Sequence, residues 1–180
     1  EMVWWEREFV RGLVEAQIDK IAPLGKADLA KDFAFHYPIS VIAVAVGLPV
    51  EHVPSFYDQA AKLTNVAVPE AERLAASADL AEMVRAVIAE RRREPKKDLI
   101  SVLVQAEVTM PDGTKARLTD DEIVNTARLL VPAGAQTTYR TLTNILYALL
   151  TDRAQMDLLR NDRSLIPRAI EEGLRWEPPL

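Results

Sequence analysis

The sequence holds no cysteine, two histidines and six glycines in 180 residues. Without cysteine there is no disulfide, no thiolate metal site and no cysteine nucleophile. His36 and His52 cannot by themselves fill a structural zinc site, which takes four ligands. Each reads as an ordinary core or surface histidine, and no metal site is expected. The glycines, at 12, 25, 47, 113, 134 and 173, are too scattered for a phosphate-cradling loop or a dinucleotide fingerprint. There is no His-Glu-x-x-His helix and no Gly-x-Ser-x-Gly elbow. A basic excess is also missing: 22 Lys+Arg against 27 Asp+Glu leave a formal charge of −5, which argues against nucleic acid as a partner. The longest apolar run, Pro38 to Val50, is too short to span a bilayer, so no membrane association is expected. The opening residues Glu1 to Arg7 lack the basic-then-apolar order of a signal peptide. Together with the missing cysteine, this points to the cytoplasm.

What remains is 49% hydrophobic and 27% charged, with a mean hydropathy of −0.03, as in a folded globular chain. The length suits one domain and can bury roughly 70% of the unfolded surface. The apolar spacing is mostly helical. Trp5, Phe9, Leu13, Val14, Ile18 and Ile21 recur at three- and four-residue steps, and Pro23-Leu24-Gly25 stops that helix. Trp4 and Trp5 read as packing residues. Ala27 to Phe35 reads as strand or extended. Pro38 opens an apolar helix closed by Gly47-Leu48-Pro49. Val53 to Val66 forms another, and Pro69 opens a longer one through Ile88. Arg91-Arg92-Arg93-Glu94-Pro95-Lys96-Lys97 reads as a solvated helix end followed by a loop, its cations suiting the helix dipole. Asp98 caps a short helix, and Met110 to Thr114 forms the turn of a small hairpin within 107–118.

The strongest local signal is Thr119-Asp120-Asp121-Glu122, a capping box with Leu118 and Ile123 at the staple positions. Helical character then continues to about Leu150, some 30 residues or ~45 Å, against an average of about 11–12 residues. Its middle reads Leu130-Val131-Pro132-Ala133-Gly134-Ala135-Gln136-Thr137-Thr138. Interior proline costs roughly 3 kcal/mol and glycine about 1. The two threonines are β-branched and can bond back to helix carbonyls. A kink or a widened turn is expected there. One reading is a bent core helix whose glycine permits close packing; another is a groove facing a ligand. Leu129, Ala133 and Thr137, at i, i+4 and i+8, share one face. Thr151-Asp152 caps the next helix, Asn161 to Ser164 is a loop, and a last helix runs from about Leu165 to Trp176.

Ala133-Gly134-Ala135-Gln136-Thr137-Thr138 resembles the Ala-Gly-x-(Glu/Asp)-Thr-Thr motif of cytochrome P-450 monooxygenases. Glu171-Glu172-Gly173-Leu174-Arg175 resembles that family's Glu-x-x-Arg helix, with Glu172 and Arg175 in the motif positions. The two motifs stand in the family's order, separated by one helix. The segments Asp28 to Pro49 and Thr119 to Thr138 also look like the soluble bacterial members. The resemblance implies a mainly α chain: the central helical part of that fold, with one long kinked helix over about 119–150 and at most a small hairpin.

Several roles follow from the resemblance alone. Thr137 would help position water and deliver protons to the dioxygen being activated, with Gln136 beside it where the family usually carries an acid. An amide cannot exchange a proton at ordinary pH, so coupling of oxygen activation to product would be poorer, or protons would travel through other groups and water. Ala133, Gly134 and Leu129 would face haem or substrate. Glu172 and Arg175 would form a buried structural ion pair, whose disruption typically costs about 3–5 kcal/mol. The family's iron ligand is a cysteine thiolate placed after the Glu-x-x-Arg helix. The 180 residues are therefore expected to be one incomplete domain, cut at both ends, that lacks the haem ligand. The implied partners are a small, mainly apolar organic substrate, molecular oxygen and a ferredoxin- or flavodoxin-type electron donor. A non-enzymatic all-helical ligand-binding or interaction domain, including a haem-less relative, fits the helical composition equally well.

Overall fold

The computed structural model describes residues 9–109 and 111–180, without the side chain of Val50. The expectations for Trp4, Trp5 and Met110 lie outside the described residues. Among these, eight α-helices and one two-stranded sheet form: α1 Arg11–Ile21, α2 His36–Val46, α3 Val53–Thr64, α4 Glu70–Arg93, α5 Leu99–Gln105, β1 Glu107–Thr109, β2 Lys115–Arg117, α6 Asp120–Thr151, α7 Arg153–Asn161 and α8 Ile166–Trp176. The strands pair antiparallel, Glu107 opposite Arg117 and Thr109 opposite Lys115, and are joined by the expected turn. In that turn the Asp112 carboxylate accepts from the Thr114 amide at 2.9 Å, while Gly113 takes φ 83°.

One element departs from the sequence reading. Leu29–Ala34 is not extended but a wide, π-type helical turn. The cause is local: Asp28 Oδ1 accepts from the amides of Ala30 and Lys31, and Asp32 Oδ2 accepts from the Asp28 amide. These bonds satisfy the donors that open a helix. The turn runs into α2, so Leu29–Val46 is a helical run long and apolar enough to cross a membrane, longer than the sequence suggests. Ala34, Ile39, Ala43 and Val46 along it are buried, as on the inner face of a packed helix.

The other caps are local and follow the sequence. Asp98 accepts from the Ser101 amide, and Asp152 from those of Ala154 and Gln155. At the start of α6, Glu122 Oε2 accepts from the Thr119 amide (2.7 Å) and hydroxyl (2.8 Å), and the Glu122 amide donates to Thr119 Oγ1 (3.3 Å). Thr119→Ala is expected to cost about 1 kcal/mol in urea unfolding. The bonds from Thr119, the amide first, hold the Glu122 carboxyl below its ordinary 4.5. A depressed folded-state pKa stabilises above the unfolded value and loses that contribution as pH falls through the folded value. Glu122→Gln should therefore lower stability at neutral pH and approach the parent only as pH falls through the depressed folded-state value, measured as the difference between unfolding midpoints.

The chain divides into two compact units: residues 39–134, and residues 1–38 with 135–180; the division falls within α2 and within α6. In residues 39–134, α3 packs on α4 and α4 on α5. The core there holds Phe56, Leu80, Val84, Ile88, Ile100, Ile123, Val124 and Val131, all nearly inaccessible. Leu80, Val84, Val87 and Ile88 form the inward stripe of α4. Exposed pairs tie α4 to the start of α6: Arg85 to Asp121 at 2.7 Å and Arg92 to Asp120 at 2.6 Å.

The triple-arginine end of α4 is not a uniformly solvated terminus. Arg91 is 4% exposed. Its Nε lies 2.5 Å from Asp98 Oδ2, and its Nη2 donates to the Gly47 carbonyl at 2.8 Å. Asp98 is itself buried. Three chain ends thus meet on one guanidinium: the end of α4, the cap of α5 and the residue after α2. Gly47 has φ 83°, and a Cβ there would lie 2.7 Å from Asp98 Cγ and 3.0 Å from Arg91 Nη2. Only glycine fits that conformation and that space.

The other unit has a different character. Among its described residues the buried apolar side chains are Ala34, Pro38 and Ala135, whereas Leu150, Leu158, Ile166, Ile170, Leu174 and Trp176 are exposed. The end of α6, α7 and α8 enclose an apolar groove of about 490 Å³ lined by Ile145, Leu149, Met156, Leu159, Ile166 and Ile170, with Arg160 and Arg163 at its rim. Gly173 brings α8 close to α6, since a Cβ there would run into Ile145. Arg140 Nη1 donates to the Pro179 carbonyl at 3.1 Å and Asn144 Nδ2 to that of Glu177 at 3.4 Å.

Candidate functional site

The candidate residues sit on α6. Its 32 residues remain α-helical through Pro132, Gly134, Thr137 and Thr138, so the widened turn expected at the proline does not form. Pro132 removes one donor, the bond to the Arg128 carbonyl. Neighbouring bonds of the helix persist around that gap, and Val131 and Ala135, one on each side, are buried. The Arg128 side chain reaches across to donate to the Ser77 hydroxyl of α4.

Exposure divides this helix into two faces. Ile123, Val124, Ala127, Val131 and Ala135 are buried, whereas Leu129 is 67% exposed. Ala133 is exposed, and Gly134, Gln136 and Thr137 are half-buried. The i, i+4, i+8 row of Leu129, Ala133 and Thr137 therefore forms an accessible stripe of apolar, small and hydroxyl side chains. Gly134 points elsewhere. A Cβ at position 134 would stand 3.2 Å from Ile42 Cδ1 and 3.7 Å from its Cγ1, so its missing side chain serves the approach of α2 to α6. None of the five site residues carries a group that ionises in the ordinary pH range. Two residues on from Thr137, Tyr139 stacks edge-to-face on Phe35, centroids 5.8 Å apart. Among the described residues, no group of three His, Asp or Glu side chains could hold a metal ion.

Glu172 and Arg175 form the expected pair on α8. Arg175 Nη2 donates to Glu172 Oε1 at 2.6 Å and Nε to Oε2 at 2.8 Å. The bond holds the Glu172 carboxyl below and the Arg175 guanidinium above their usual ranges. The two side chains are 62% and 71% exposed, so within these 180 residues the pair is not buried, and exposed pairs contribute little. Among the described residues the buried pair is Arg91–Asp98, which sequence reasoning missed. Its local signs were an arginine ending a helix and an aspartate capping the next; the third member, Gly47, is 44 residues from Arg91.

A family model described as Cytochrome P450, written here P-450, matches residues 50–172. The chain belongs to the cytochrome P-450 family. A steroid C26-monooxygenase of Mycobacterium tuberculosis (strain CDC 1551 / Oshkosh) is 37% identical over 177 residues, covering 95% of this chain and 46% of that protein. Cytochrome P-450 107B1 of Saccharopolyspora erythraea is 34% identical, covering 97% and 42%. The crystal structure of CYP109E1 from Bacillus megaterium in complex with testosterone superposes with a TM-score of 0.85 at 32% identity, covering 97% of this chain and 46% of that one. The chain thus spans under half the length of these relatives. As a member of the P-450 fold it is mainly helical, as expected, with a small hairpin at 107–117 among the described residues.

Proposed function

We propose that the complete protein is a haem-dependent monooxygenase that inserts one oxygen atom of dioxygen into a small, mainly apolar organic molecule. The 180 residues would be the helical centre of one larger domain. The observation that carries this reading is the accessible Leu129–Ala133–Thr137 stripe, on a long helix that precedes a Glu-x-x-Arg helix. These residues fit the oxygen side of a haem: two apolar side chains leave room for a flat macrocycle, and one hydroxyl is placed among them. They do not fit its iron ligation, since a thiolate is required and the chain has no cysteine. Leu129 and Ala133, with the Gly134 backbone, would border the haem and the substrate. Bound haem would supply the redox-active iron at which dioxygen is reduced, with electrons from a ferredoxin- or flavodoxin-type protein.

The work of this chain would be proton handling. The Thr137 hydroxyl donates and accepts at once, so it can hold a water and pass a proton along it, the geometry that relayed general acid catalysis needs. Gln136 can orient that water through its carboxamide but cannot supply a proton. Glu172 and Arg175 would act structurally on α8, their solvated pair requiring cover by further residues before it became a buried one.

The reading is tested on the full-length protein by the absorption of its reduced carbon monoxide complex, which should show the red-shifted Soret band of thiolate ligation. A spectrum typical of a neutral axial ligand overturns it. In the same protein Gln136→Glu should restore an exchangeable proton beside Thr137 and lower the peroxide released per dioxygen several-fold. Unchanged peroxide and turnover would count against the role given to position 136.

A further inference from the structure

Pro132 leaves the helix ladder of α6 one bond short immediately before the candidate stripe, and Gly134 adds a residue of low helix propensity. A segment weakened in this way depends on its neighbours for its position. The neighbour is Ile42. Gly134 has no left-handed φ, so its backbone does not require glycine; a Cβ there would stand 3.2 Å from Ile42 Cδ1, close enough that the methyl would have to give by a few tenths of an ångström. Ile42 is carried by α2, whose inner face is buried at Ile39, Ala43 and Val46. The end of α2 is bolted by the bond from Arg91 Nη2 to the Gly47 carbonyl.

We propose that Ile42 is a positioning residue for the Ala133–Gly134 turn of α6, its Cδ1 methyl filling the glycine notch and so setting where that turn stands. The inference rests on the monooxygenase reading for its catalytic consequence, but not for its structural one. The methyl that Ile42→Val deletes is the one that crowds a Cβ at 134, while Ile42 Cγ1, at 3.7 Å, would be an ordinary contact for that Cβ. The two substitutions should therefore correct one another.

The test uses the full-length haem-loaded protein with four chains: parent, Ile42→Val, Gly134→Ala and the double variant. Amide hydrogen exchange over residues 130–138 and peroxide released per dioxygen are both measured, with a ferredoxin and its reductase as electron source. Ile42→Val is expected to speed exchange about tenfold, each single variant at least to double the peroxide fraction, and the double variant to return both toward the parent. The proposal is overturned if Ile42→Val leaves exchange unchanged, or if the double variant is no better than the worse single one. A parent lacking the thiolate carbon monoxide band would refute the monooxygenase reading, while the exchange measurements would still decide the role of Ile42. Ile42→Val is mild enough to fold should Gly134→Ala fail to, and its exchange alone then decides the question.

Discussion

Gly47→Ala is expected to leave the chain largely unfolded at 25 °C. At φ 83° a side chain pays left-handed strain of roughly 1–2 kcal/mol. The new methyl would also be driven into the Asp98 carboxylate and to 3.0 Å from Arg91 Nη2, and parting a buried pair typically costs about 3–5 kcal/mol. The sum, of order 5 kcal/mol, approaches the whole stability of an ordinary domain, about 5–15 kcal/mol. Gly113→Ala is the control. It has the same φ, but nothing lies within 4 Å of its would-be Cβ, so only the strain should appear. Urea unfolding of both variants separates strain from collision. Equal losses would mean that the Arg91–Asp98 contact yields freely.

Asp98→Ala should be nearly as damaging, for a different reason. It strands a guanidinium that is 4% exposed and removes the acceptor of the Ser101 amide at 2.7 Å. A loss of about 4 kcal/mol or more is expected, most of it desolvated charge and about 1 the lost cap. Replacing both partners by apolar residues, Arg91→Met with Asp98→Leu, should cost much less, because no uncompensated charge remains. Equilibrium unfolding of the three chains decides the matter. A loss of only about 1 kcal/mol for Asp98→Ala would show a pair that behaves as though solvated.

The elements legible in the sequence were those decided by near neighbours. The caps at Asp98, Thr119 and Asp152 rest on bonds spanning two or three residues, and the helices between them on apolar steps of three and four. The hairpin was marked by Pro111-Asp112-Gly113. Leu29–Ala34 departs from its reading although its cause is equally short-range: Asp28 and Asp32 cap and brace a helical turn, as aspartate at a helix start does. Arg91 was misread because the atoms that bury it come from α5 and the end of α2. No local pattern distinguishes Arg91 from Arg92, which stays at the surface and binds Asp120. The candidate site is drawn from its family motifs alone, whereas the side chain facing the Gly134 notch, Ile42, stands 92 positions back along the chain, beyond any local pattern.

The division into a core-bearing stretch and a core-poor one has a direction in time. Residues 39–134 are consecutive, so on the ribosome they can condense as soon as Gly134 clears the exit tunnel, in keeping with the tendency of domains to fold in order of synthesis. The amphipathic helices α7 and α8 emerge afterwards, with Ile166, Ile170 and Leu174 still wetted. In the nascent chain that exposed stripe, not the compact stretch before it, is where chaperones and proteases would find their handle.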